Sequence, residues 1–187
     1  MFDFQEAAKG YAKAAERVLG EDAEFLNKNQ EVIPVFVALL FQSMEISLKH
    51  LGVQAGLFSI QETKDKKLKR NGHGVGEIAS LINERLGASK DFPVVNALTA
   101  RMSGGEHSEI VREMLFGSKF EATRQSYQRR NLGYLQLEQG DLALVRGLKP
   151  WVSAVRDVAE NLPVAVDVVK QWKSSSGSSR SFAIWFR

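Results

Sequence analysis

The 187-residue chain reads as an all-α protein, one bundle of about five to seven helices around a central apolar helix. Three observations predict this. Apolar residues recur at three- and four-residue spacing in segment after segment, with glycine or proline between them. The stretch Val32 to Phe41 is apolar all round the helical circle, which places it inside other helices rather than on them. The composition, 44% apolar and 25% charged, is that of an ordinary globular domain long enough to bury a core.

Asp3 to Asn27 reads as one long or two short helices, with Ala7, Tyr11, Ala14, Ala15, Val18 and Leu19 on one face. Its small alanines allow a close neighbour, and Gly20 marks a break. The central helix follows, Glu31 to Gly52. Pro34 suits its first turn, where a missing N–H costs little, and Gly52 reads as its stop. The second half of this helix carries Gln42, Ser43, Glu45, Lys49 and His50, which need polar partners. After a short connector, Gln61 to Arg70 holds five basic and two acidic residues and reads as a solvated face. A glycine-dense turn at Asn71–Gly76 then leads into a helix with Ile78, Leu81, Ile82 and Leu86 on one side, closed by Gly87. His73 stands just before that helix begins.

Asp91, Phe92 and Pro93 open another helix, Gly104-Gly105 break the chain, and Ile110, Met114 and Leu115 share a face of the next, Glu106 to Phe116. From Gly117 to Gly140 no period holds, and the segment reads as a long functional loop. Asp141 caps a short helix to Gly147. Pro150 opens the next piece, whose Trp151, Val155 and Val158 read as core, and Pro163 marks a last helix toward Trp172. The division is therefore a helical domain over 1–173 and a Ser/Gly linker with an apolar tail over 174–187. The tail, with Phe182, Ile184, Trp185 and Phe186, is either an expression remnant or a docking peptide.

The formal charge is +3, but the tail holds Arg180 and Arg187 and no acid, so residues 1–173 carry 3 − 2 = +1. That balance selects no partner. With no cysteine, a disulfide scaffold, a thiolate nucleophile and thiolate-bound metal are excluded, and a reducing compartment fits. Met1–Gly20 has no apolar signal core, and the longest uncharged run, Val32 to Met44, is shorter than the roughly 20 residues that cross a bilayer. The expectation is a cytoplasmic protein with no membrane contact.

Three constellations carry candidate chemistry. Glu45 and Lys49 are four apart in the favourable order for a helical ion pair, and an inward Glu45 would meet His73, fixing its tautomer beside a helix N-terminus. Arg101 and His107 form the second pair, and their reading rests on the family resemblance given below, which implies a cation that stabilises charge on a phosphate and an imidazole that moves a proton. Arg124, Tyr127, Arg129, Arg130 and Tyr134 interleave cations with aromatics, a mixture suited to phosphate pairing and base stacking. No P-loop pattern is present, and His50, His73 and His107 have no metal-ligand spacing, so neither a cofactor nor a metal is expected.

The run FQSMEISLKHLG followed by RNGHGVGEIASLI resembles the small–x–Glu–x–x–Leu–Lys … Gly-His-x-Leu pattern of HEPN-type helical domains (higher eukaryotes and prokaryotes nucleotide-binding). The matching positions are Ser43, Glu45, Leu48, Lys49, Gly72, His73 and Val75, the last standing where leucine is usual. SYQRRNLGYLQLEQGD resembles the Arg-Tyr segment before the closing helices of such domains, and the likeness spans roughly 1–165. It implies an antiparallel bundle, commonly a homodimer, acting on RNA or nucleotides in defence or toxin–antitoxin systems. Arg101 and His107 have the separation of the catalytic pair in HEPN ribonucleases, although Met102 stands where a polar residue is usual and Gly104-Gly105 interrupt the helix. The expected function is a non-catalytic or weakly catalytic module that binds nucleotide, RNA or a protein partner through Glu45, Lys49 and His73 and through Arg129, Arg130 and Tyr134. A metal-independent endoribonuclease using Arg101 and His107, and a purely structural dimerisation module, are the alternatives.

Overall fold

The computed structural model describes residues 3–20, 26, 28–63, 74–88, 93–102, 105–128 and 148–182. Among them every regular element is helical: α1 (Phe4–Leu19), α2 (Ile33–Gln54), α3 (Val75–Arg85), α4 (Pro93–Leu98), α5 (Gly105–Phe116), α6 (Glu121–Gln128), α7 (Leu148–Glu160) and α8 (Leu162–Phe182), with short 3-10 turns at Gln30–Val32 and Ser118–Phe120. The all-α bundle is as the sequence predicts. The eight described helices exceed the expected five to seven, and the one with no counterpart in the sequence reading is α6, whose eight residues lie in the segment 117–140 that reads as a loop.

α2 is the axis. Phe36, Met44, Leu48 and Leu51 on it are sealed from solvent, and α1, α3, α7 and α8 all pack against it. α1 is its closest neighbour. Asp3 caps α1 through bonds from the Gln5 and Glu6 amides to its carboxylate (2.8 and 3.2 Å), which satisfies two of the N–H groups a helix start leaves unpaired. Ala8, Ala12 and Ala15 then lie with no solvent exposure, so the buried face of α1 is turned from the expected one: of Ala7, Tyr11, Ala14, Ala15, Val18 and Leu19 only Ala15 and Leu19 are buried, and Tyr11 is exposed. The pair runs antiparallel: Ser43 Oγ donates to the Ala8 carbonyl (2.8 Å), and Asp3 at the start of α1 lies near enough to His50 at the end of α2 to raise its proton affinity.

Two expectations about α2 need correcting. Gly52 does not stop the helix; it lies inside it, where a Cβ would fall 1.9 Å from the Phe58 ring, so glycine is there to let that ring close over the backbone. The stop is Gly56, with φ +65: its amide bonds to the Val53 carbonyl (3.0 Å) and the Leu57 amide to that of Gly52 (2.8 Å), the paired closure that needs a left-handed residue. The shortness of the uncharged run Val32 to Met44 also does not carry to the whole helix as an exclusion of membrane crossing. Gln30–Gln54 is long and apolar enough to cross a membrane by length and composition, with 56% of its most apolar window buried inside the bundle.

The other helices are tied in by polar caps. Asn83 on α3, nearly buried, accepts a bond from the Val94 amide (3.1 Å) and so caps α4 from a neighbouring helix. α3 approaches the end of α5 so closely that a Cβ on Gly76 would stand 2.7 Å from the Leu115 carbonyl oxygen. α7 and α8 are separated by Asn161 alone. The backbone of α8 runs through the Ser/Gly stretch to Phe182, so residues 174–182 continue the helix instead of forming the expected linker.

Candidate functional site

Glu45 faces inward, 1% exposed, in the middle of the core helix. An isolated carboxylate there would be strongly disfavoured, so its oxygens are engaged. Lys49, one turn on, holds Oε1 at 2.5 Å. Tyr127 on α6, itself 1% exposed, donates its hydroxyl to Oε2 at 2.7 Å, and its oxygen stands 2.9 Å from Gln42 Oε1. A phenol has one proton. Both contacts are satisfied together when the Gln42 amide is turned so that Nε2 donates to the phenol and the phenol donates to the carboxylate. The Tyr127 ring packs on Phe41 with centroids 5.4 Å apart. Residues far apart in the chain thus meet here: the Glu45/Lys49 pair and a tyrosine from the arginine–tyrosine stretch.

Beside this cluster, α3, the end of α5 and α6 enclose a cavity of about 650 Å³. Its floor includes Ile78, Leu81, Leu115 and Phe116, and its rim carries Glu62, Glu77, Glu84 and Glu121 against Arg85 and Arg124. Both arginines are engaged. Arg85 bonds to the Leu57 carbonyl and to Glu62 (2.8 Å), and the Ser59 amide and Arg85 together hold the Glu62 carboxyl below its usual range. Arg124 donates to the carbonyls of Gly117 (2.7 Å), Glu113 (3.2 Å) and Met114 (3.4 Å), a cation at the negative end of α5. Partial burial lowers its pKa, and neighbouring carboxylates oppose that shift. Among the described residues the cavity therefore has an apolar floor and a rim with more acid than base.

Arg101 is exposed on the turn after α4 and forms no ion pair among the described residues. His107 lies in the first turn of α5 with Nδ1 3.1 Å from Asp157 Oδ2 on α7, too far off line for a directed hydrogen bond. Asp157 also lies 3.7 Å from Arg156, which bonds to Glu16 on α1 (2.9 Å). His73, Arg129, Arg130 and Tyr134 fall outside the described residues, as does the helix read over 141–147. No group of three or more His, Asp or Glu side chains stands ready to hold a metal among the described residues.

Comparison with known protein families, with curated proteins and with solved structures finds no match.

Sequence reasoning missed two partners. Asp157 had no signal, being one acid in an amphipathic helix. Tyr127 was noticed for base stacking; the absence of any other apolar residue in the second half of α6 was the available hint that it is the anchor of its segment.

Proposed function

We propose that the chain is a HEPN-like helical module that acts by binding, not turnover, and that its ligand is a protein segment bearing basic side chains. One observation carries this: among the described residues, four carboxylates rim the cavity against two arginines, one paired with Glu62 and the other held on backbone carbonyls. A volume of this size suits a few side chains over an apolar floor. Nucleic acid seated there would set phosphate against unneutralised acid, whereas a lysine or arginine would find counter-charges. The resemblance to modules of toxin–antitoxin systems, which pair with a partner protein, fits this reading. The test is fluorescence anisotropy with a labelled Lys/Arg-rich helical peptide and, separately, a labelled RNA oligonucleotide. The peptide should bind with an affinity that falls as salt rises, and Glu84→Gln with Glu121→Gln should weaken it about tenfold. Tight RNA binding with no peptide binding overturns the proposal and returns the function to Arg129, Arg130 and Tyr134.

The His107–Asp157 contact favours a second reading, an endoribonuclease. A carboxylate beside Nδ1 leaves Nε2 to move a proton, with exposed Arg101 to meet the phosphate. RNA cleavage in EDTA that His107→Ala abolishes and Asp157→Asn reduces would establish it. No cleavage by the unaltered protein removes it.

A further inference from the structure

The cavity beside α3 and α6 is walled chiefly by helix faces. On α3 it is lined by Glu77, Ser80, Leu81 and Glu84, the i, i+3, i+4, i+7 set that shares one side of a helix. On α6 it is lined by Glu121, Gln125 and Gln128, at i, i+4 and i+7. Such walls offer a guest little main chain to bond. From Ile78 onward the amides of α3 are spent inside the helix, and its last carbonyls are closed as well, with the Leu86, Gly87 and Ala88 amides returning to Ile82, Glu84 and Asn83. At the end of α5 the carbonyls of Glu113, Met114 and Gly117 are covered by Arg124. A guest laid over the floor of Ile78, Leu81, Leu115 and Phe116 must therefore satisfy its own backbone. An extended segment would strand amides against apolar surface; an α-helix brings its bonds with it.

We propose, resting on the binding function given above, that the partner segment is an α-helix with basic residues at i and i+7 and apolar residues at i+3 and i+4. The spacing of the free acids selects this register. Glu77 and Glu84 stand two turns apart on α3, about 10.5 Å along its axis, with Leu81 between them. Neither forms an ion pair among the described residues, whereas Glu62 is already taken by Arg85 (2.8 Å). Basic residues at i and i+7 of a partner helix fall at that same spacing on one side of it. Residues sharing one face of a strand fall about 6.7 or 13 Å apart, so an extended segment that meets one acid misses the other. With cations over both acids, the residues at i+3 and i+4 point between them at Leu81 and the floor. The stems of lysine or arginine lie along that apolar surface while their heads reach the rim, where Glu121 on the facing wall adds a third counter-charge.

The test is fluorescence anisotropy of the full chain with three labelled peptides. The first is a helix with lysines at i and i+7 and leucines at i+3 and i+4; the second is the same helix with its second lysine moved to i+5, off that side; the third is the first with a central proline. The first should bind at least roughly tenfold tighter than the other two. Glu77→Gln and Glu84→Gln should each weaken it while circular dichroism shows the fold retained. Glu84→Lys should abolish binding, and glutamate in place of one of the peptide's two lysines should restore it. Equal binding of all three peptides, weakened alike by Glu84→Gln with Glu121→Gln, overturns the helical register and leaves the cavity a site for basic segments of any shape. A preference for the first peptide that the charge exchange at Glu84 fails to restore overturns it too. Binding of none of the three removes the proposed function and this inference together.

Discussion

The two halves of this bundle are held by different physics. The α1–α2–α7 half is closed by apolar surface: three alanines of α1 lie flush on α2, and Leu40, Met44, Val155 and Val158 fill the space behind them. The α3–α5–α6 half has apolar contacts of its own, Ile78, Ile82, Val111 and Met114 among them, and adds polar anchors between helices: Asn83 caps α4, Arg124 caps α5 and Tyr127 reaches Glu45. Apolar packing fails by leaving a void, in proportion to the atoms removed. A polar anchor fails by stranding its partner, so its loss acts on one segment out of proportion to its size. The first half suits a scaffold, the second a region that must admit something.

The contrast can be broken by substitution. Phe36→Ala, at a fully enclosed position, should cost about 3–5 kcal/mol and lower the whole urea transition as one step. Glu45→Gln should cost about 2–3 kcal/mol, because Lys49 would remain partly buried without its counter-charge, and a co-substituted Lys49→Met should recover part of that loss. Tyr127→Phe should cost about 1–2 kcal/mol, with faster amide exchange confined to α6. Exchange that rises equally in α1 would show that α6 is no separate unit and erase the distinction.

The smallest effect tests the joint between α1 and α2. Burial lowers the pKa of His50 below 6.5, with Asp3 opposing the shift. The unfolded chain therefore holds more protons than the folded one between the lowered value and 6.5, and stability should rise with pH across that window and fall on acidification. With the ring half-exposed to solvent, the change should stay under about 1 kcal/mol. Melting curves between pH 5 and 7 should show this slope in the unaltered chain and lose it in His50→Gln; an unchanged slope in the variant would assign it to other groups.

What the sequence disclosed follows the same division. The core helix, its first-turn proline and the helix ending at Gly87 were readable, because apolar periodicity and glycine closure act over a few residues; the helix of α1 was readable too, but not its buried face, since alanines stand on both sides of it and their spacing alone does not choose between Ala7 with Ala14 and Ala8 with Ala12. Gly52 was misread since a glycine that stops a helix and one that admits a ring look alike in sequence, and only Phe58 in space separates them. α6 was taken for part of a loop because its sequence EATRQSYQ offers one apolar anchor and its hold on the fold comes from contacts 82 and 85 residues away. At the site, the pairing of Glu45 with Lys49 was legible from the four-residue spacing, whereas the inward turn of Glu45 was read only through a contact with His73, which lies outside the described residues. Tyr127 as the third member was not legible, since nothing local couples it to α2.

Arg124 ties α6 to the end of α5 on one wall of the cavity, and that bears on the binding proposed above. Its guanidinium screens carbonyl oxygens at the end of α5, and any newcomer that pushes α6 aside strips them of that cover. A visitor with a lysine or arginine of its own can exchange cation for cation and leave those oxygens clothed. A neutral or anionic one would leave them bare against its own apolar or negative surface, so under the proposed binding this wall would favour a cationic visitor.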